Sequence, residues 1–256
     1  MLRTERQDGC LIVTIARPET KNALDWGTLD QLRRAFEGAK GDPSLRSIIL
    51  TGEGKVFVSG GDLRELRGVV TPEETGRFVE AGRAITELVA EVPVPVIAAL
   101  PGPAVGGGAE IALACDLRIA EMRARICFKQ AAMGVTTAWG TVPRLLSICG
   151  PSLASRLLFT GHEIGAAEAY AFGLVDAVCE NGAGVATALT WAMDIAQGSP
   201  TAIAEIKSLL RTRDADRELL RRERERFVST WLGSDHREAM DAYFERRAPN
   251  FATRRD

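Results

Sequence analysis

The chain reads as an α/β protein of stacked ββα or βαβ units, and three observations carry that reading. Short β-branched runs alternate with segments of helical period through the first half. Glycine clusters at 60–61 and 106–108 follow two of the strand-like runs, where a chain turns out of its sheet. From about Thr141 onward the period is almost entirely helical.

Each element has its own signal. Cys10 to Ala16 is a β-branched run that ends at Arg17-Pro18, a strand. Thr28 to Lys40 places Leu29, Leu32, Ala35, Phe36 and Ala39 on one helical face, with Thr28 as the expected N-cap. Arg46 to Thr51 is a second strand, closed by Gly52 and Gly54, and Val56 to Asp62 is a short apolar piece running into a glycine turn. Thr71-Pro72-Glu73-Glu74 starts a helix that runs to about Val92, where prolines stop it. Pro95 to Leu100 is a third strand; Asp116 to Ala120 and Arg125 to Phe128 are further short ones. We divide the chain into a core over 1–195 and a C-terminal helical region over 196–256. Phe227, Trp231, Leu232, Met240, Tyr243 and Phe244 give that region an apolar face, which needs its own core or a neighbouring subunit to pack on.

Composition narrows the function. With 32 Lys and Arg against 34 Asp and Glu, the chain lacks the basic excess of a nucleic-acid protein. Seven arginines in 211–226 are interleaved with acids, the pattern of a solvated helix face. Met1 to Gly9 is polar, unlike a signal peptide, and prolines interrupt the longest apolar stretch, so neither secretion nor a membrane span is expected. The five cysteines form no CxxC pair and mostly sit in apolar segments, as in a reducing cytoplasm. His162 and His236 stand far apart without clustered ligands, so no metal site and no Ser-His-Asp triad is expected. The chemistry must run on carboxylates and backbone amides.

Ala104-Val105-Gly106-Gly107-Gly108-Ala109-Glu110 concentrates both. Glycines at a helix start offer N–H groups to a developing oxyanion, and Glu110 in the first turn is an acid or base beside them. A tight turn with Glu110 merely complementing the helix dipole is the plainer alternative. Phe57-Val58-Ser59-Gly60-Gly61-Asp62 is a second glycine-rich strand end, able to meet the first in space.

This pair of motifs resembles the crotonase superfamily, the enoyl-CoA hydratase/isomerase family, and the resemblance spans nearly the whole chain. Arg17-Pro18-Glu19, Lys21-Asn22-Ala23-Leu24, Ile48 to Gly52, Ala114 to Ala120 and Gly173-Leu174-Val175-Asp176 follow in the family's order. It implies a spiral of ββα units, a C-terminal oligomerisation region, and a homotrimer or dimer of trimers. It implies an acyl-CoA substrate held by two backbone N–H groups, placed at Ser59 and Gly107, with no cofactor beyond the coenzyme A of the substrate. Gly60, Gly61 and Asp62 belong to the substrate-side turn, Asp62 chiefly ordering it, and Arg17 and Lys21 face the CoA phosphates.

Glu110 matches the first of the two glutamates that hydratases use. The position of the second falls, by the family's spacing back from Gly134, on Gln130, whose amide exchanges no proton at neutral pH. Met133-Gly134 followed by Trp139-Gly140 is similar to a segment of ethylmalonyl-CoA decarboxylase-like members, in which Trp139 would wall the pocket. Decarboxylation needs one proton donor, so this reading stands somewhat ahead of hydration. A hydratase with an atypical second group and a non-catalytic acyl-CoA binder are the alternatives.

Overall fold

The computed structural model describes residues 1–211 except 67, 70 and 134, and beyond them 234, 238, 242, 245–247 and 250. The aromatic residues expected to face the core from the C-terminal region (Phe227, Trp231, Leu232, Met240, Tyr243 and Phe244) lie outside the described residues, as do Gly134 and the arginine-rich stretch after Arg211.

The chain opens with a hairpin that the polar N-terminus concealed. β1 (Leu2–Gln7) pairs antiparallel with β2 (Cys10–Ile15). Asp8 and Gly9 between them both take positive φ, 48° and 78°, the two-residue turn whose twist matches that of the strands. β1 is exposed over most of its length because it forms the edge of the sheet, so it shows no apolar alternation. α1 (Trp26–Lys40) starts two residues earlier than the apolar period indicated, and Asp25, not Thr28, caps it by accepting from the Thr28 N–H at 2.7 Å.

β3 (Ser47–Gly52) leads through the short α2 (Leu63–Leu66) to α3 (Pro72–Glu91) and β4 (Val96–Leu100). β5 (Ala104–Val105), α4 (Gly107–Ala114), β6 (Leu117–Glu121) and β7 (Arg125–Cys127) follow. Helices α5 (Thr141–Thr160), α6 (Ala166–Ala171), α7 (Gly184–Ala196) and α8 (Pro200–Arg211) make up most of the rest. Two short strands interrupt them, β8 (Ile164–Gly165) and β9 (Ala177–Cys179). The main sheet has the order β1-β2-β3-β4-β6-β9, parallel except for the first pair; β5-β7-β8 form a second, small sheet. Residues 56–62 belong to neither sheet, and their strand-like pairing is limited to two isolated bridges, Val58 to Ala104 and Leu24 to Gly61.

Alternation sorts the strands' side chains between two layers. Leu11, Val13, Ile48, Leu50, Val96 and Ala98 face the larger core with α1, α3 and α4; Ile12, Ile49, Ile97 and Ile119 face α7 through Ala188 and Ala192. α8 is tied to this body by charge. Lys207, buried, donates to the carbonyls of Val89 and Val94 at 2.9 Å each and pairs with Asp116 at 2.8 Å. Arg211 reaches the other oxygen of the same carboxylate at 2.6 Å. Helix α8 therefore packs on the core that precedes it.

Candidate active site

Two loops leave the same end of the main sheet and meet. Val58 joins β5, its carbonyl accepting from the Val105 N–H at 2.9 Å. In an extended chain the N–H and C=O of successive residues point alternately to opposite edges. Val58 points toward β5, and Ser59 points away, donating to the Lys21 carbonyl at 3.2 Å. Gly60 breaks the alternation: at φ 107°, a conformation that side chains rarely adopt, its carbonyl turns to the Leu24 N–H at 2.8 Å. The peptide is trans, so the Gly61 N–H on its far side points away from Leu24, toward β5 and α4. That N–H has no partner among the described residues.

The opposing loop supplies a matching group. Gly107 is the first residue of α4, so its N–H has no intrahelical acceptor. A Cβ built on Gly60 would stand 3.9 Å from that nitrogen, which places the two loops in contact. Two unspent backbone donors thus face one gap.

Glu110, one turn into α4, is 4% exposed. Its Oε1 accepts from the N–H groups of Ala138 and Trp139, at 3.2 and 3.3 Å, and from the Thr141 hydroxyl at 2.6 Å. These donors lie just before and at the start of α5, where unpaired N–H groups favour negative charge. One oxygen is thereby fixed, and Oε2 has no hydrogen-bond partner among the described residues. Trp139 is buried against the same glycine that offers its N–H: a Cβ on Gly107 would lie 2.6 Å from the indole Cζ3. On its other side the ring fills the space above Gly82 of α3, where a Cβ would come within 1.9 Å. Phe78 tilts against it at 5.6 Å between ring centroids, and the Thr86 hydroxyl donates to its carbonyl at 3.1 Å.

The comparisons with known proteins come down on one family. The model for enoyl-CoA hydratase/isomerase matches residues 5–254. The chain belongs to the enoyl-CoA hydratase/isomerase family. It is 35% identical to the short-chain-enoyl-CoA hydratase of Clostridium acetobutylicum over 95% of this chain and 94% of that one. It is 31% identical to the crotonyl-CoA hydratase of Syntrophomonas wolfei over 98% and 97% of the two chains. The crystal structure of an enoyl-CoA hydratase from Bacillus anthracis superposes with a TM-score of 0.95 at 28% identity, covering 99% of both.

Within this enoyl-CoA hydratase/isomerase fold, several expected site residues take other work. The Ser59 N–H is spent on Lys21, and its hydroxyl donates to the Thr20 carbonyl at 3.3 Å, so Ser59 offers no donor to the gap. Arg17 is a brace rather than a phosphate ligand: its guanidinium binds the Ala23 carbonyl, Asp25 at 2.9 Å and Asp62 at 3.3 Å. Asp62 orders its own turn, as expected, taking also the Arg64 N–H at 3.2 Å. Lys21 is exposed.

Gln130 follows β7 with both amide atoms shut from solvent and unpartnered among the described residues. Two positioning residues escaped the sequence reading. Thr141 carried no signal beyond its place at a helix start. Asn22 is buried at φ 57°, and its amide donates to the carbonyls of Glu53 and Val56 at 3.0 and 2.7 Å, fixing the approach to the Ser59–Gly61 turn. No group of three or more His, Cys, Asp or Glu is placed to hold a metal among the described residues, and none of their helices is long and apolar enough to cross a membrane.

Proposed function

We propose that the Gly61 and Gly107 N–H groups hold the thioester carbonyl oxygen of an acyl-CoA, and that Glu110 alone carries the proton. The observation behind this reading is the pair of unspent donors beside a carboxylate with one oxygen fixed and one free. Gly61 replaces Ser59 in this role because only the Gly61 N–H is turned toward α4. Such donors stabilise the enolate that forms when charge moves onto the oxygen, and each contributes about 2.7–4 kcal/mol to lowering the barrier.

With hydratases among the relatives, the reaction that fits best is water addition to an enoyl-CoA. As the water oxygen bonds to the β carbon, one of its protons passes to Oε2 of Glu110 and the double-bond electrons move onto the thioester oxygen. The enolate then collapses and takes the proton from Glu110 onto the α carbon. Water is consumed, and Glu110 is restored. One carboxylate completes the cycle by acting first as base and then as acid.

Decarboxylation of a malonyl-type CoA is the second reading, favoured by the amide of Gln130 where a second carboxylate was expected. Breaking the bond to the carboxylate releases CO₂ and leaves its electron pair as a thioester enolate, without the β-hydroxyl of the hydration enolate. Glu110, protonated beforehand from solvent, then gives that proton to the α carbon. A binder without chemistry would not need Glu110 held by three donors. Incubation with crotonyl-, methylmalonyl- and ethylmalonyl-CoA, read by mass, separates the readings: a gain of about 18 Da is hydration and a loss of about 44 Da is decarboxylation. No mass change on any of them would leave only the binder.

The proposal extends to a cytoplasmic enzyme assembled as a homotrimer or dimer of trimers, with no nucleic-acid or membrane partner and no separate cofactor. Sedimentation tests the assembly, and a monomer at micromolar concentration would contradict it.

A further inference from the structure

Among the described residues, every donor to the Glu110 carboxylate comes from one turn: the N–H groups of Ala138 and Trp139 and the hydroxyl of Thr141. Gly140 lies between these donors in the left-handed region, at φ 79°. A glycine brings no side chain to hold such a turn and has the widest backbone freedom. The placing of the carboxylate therefore depends on what fixes the turn from outside.

Arg144 does so. Its side chain reaches back from the first turn of α5, and Nη1 donates to the Trp139 carbonyl at 2.5 Å. The guanidinium lies close against Gly140: a Cβ built there would stand 2.8 Å from Nη1 and 3.3 Å from Cζ. The helix cannot serve that carbonyl with an i+4 donor, because residue 143 is proline and has no N–H. Side chains serve it instead, Arg144 from α5 and the Thr86 hydroxyl from α3 at 3.1 Å. Trp139 is thus held at its carbonyl by two donors while its own N–H is given to Glu110. A cation in the first turn opposes the dipole of its own helix, so helix stability does not account for an arginine at this position. We propose that Arg144 is a positioning residue for the reaction. By fixing the Trp139 carbonyl it sets the turn that holds Oε1, and it acts on catalysis only through Glu110. This rests on the reading of Glu110 as the proton carrier.

Steady-state kinetics on the wild type and on Glu110→Gln, each with and without Arg144→Met, test it. The substrate is whichever of crotonyl-, methylmalonyl- and ethylmalonyl-CoA the wild type converts. In the wild-type background Arg144→Met is expected to lower kcat about ten- to a hundredfold, with KM within about twofold. In the Glu110→Gln background it should lower the residual turnover no further, because the group it positions no longer transfers a proton. A role confined to folding would reduce both backgrounds alike. Arg144→Lys keeps a cationic donor on a long stem and should recover most of kcat. Arg144→Gln, neutral and too short to reach the carbonyl, carries the same comparison where the methionine variant does not fold. Unchanged kcat in the folded variant overturns the inference, as does an equal proportional loss in both backgrounds. If Glu110→Gln alone leaves turnover undiminished, the catalytic reading of Glu110 falls and takes this inference with it, an outcome distinct from the other two.

Discussion

Trp139 packs onto Gly107 so closely that any side chain at that glycine would enter the indole. The residue that offers an N–H to the gap is thus also the floor of an aromatic wall, and Gly82 on α3 is its counterpart across the ring.

Gly82→Ala should therefore destabilise the protein by about 1–3 kcal/mol, the usual cost of overpacking. Adding Trp139→Leu should recover part of that loss, with a coupling of about 0.5–3 kcal/mol in a double-mutant cycle on thermal or denaturant midpoints. Strict additivity would mean that the ring and the glycine do not share the space.

Glu110→Gln keeps the shape of the side chain but removes its proton transfer. Turnover of the best CoA ester should fall about 10²- to 10⁴-fold while binding of a saturated ester persists. Undiminished turnover would remove Glu110 from the mechanism.

Thr141→Val should act through Glu110. It deletes the 2.6 Å contact to Oε1, a hydrogen bond to a carboxylate being worth about 1.5–3 kcal/mol. We expect kcat to drop with KM little changed, and Thr141→Ser to restore it. A variant with wild-type kcat would show that the hydroxyl does not orient the carboxylate.

Asp116 neutralises a buried ammonium, its carboxylate 18% and the Lys207 side chain 6% exposed. Asp116→Ala leaves that cation without its charge partner and should cost about 3–5 kcal/mol, read as a lower urea midpoint. A loss below about 1 kcal/mol would mean that the Val89 and Val94 carbonyls alone suffice for Lys207.

Alkaline stability should follow Cys115. Burial first, then the neighbouring Asp116, pushes its thiol from 9.0 up to about 12. The folded state keeps the proton while the unfolded chain gives it up, so this contribution is complete below pH 9 and is lost as pH rises from 9 to 12. Stability curves of the wild type and Cys115→Ala should converge over that window. Asp42 sets the opposite dependence in acid. Hydrogen bonds from Ser44 and Arg6 hold its carboxyl down at about 2, against 3.8 ordinarily, so its contribution is present above pH 3.8 and fades toward pH 2.

What could be read from the sequence was what depends on neighbours along the chain. Gly107 and Glu110 share one short helix, so their relation follows from helical geometry, and the buried strands declared themselves by β-branched runs. The Asp8-Gly9 turn was legible in principle, but the polar strand before it hid its hairpin. The resemblance puts the donor at Ser59 and Gly61 only in the turn beside it, because a residue name does not say which edge of the chain its N–H faces; the positive φ of Gly60 decides that. Arg17, Asn22 and Thr141 owe their roles to partners distant in sequence, which no local spacing reports.

The turned peptide between Gly60 and Gly61 has one more consequence. A donor that belongs to the main chain is invisible to side-chain deletion: replacing Ser59, or any neighbour, alters its surroundings but never removes the hydrogen. Only a change to the backbone itself would take it away: an ester in place of that amide, or proline at position 61, which has no N–H to offer. The group proposed to face the developing charge thus survives every coded substitution at Gly61 except proline, while every residue around it remains open to change.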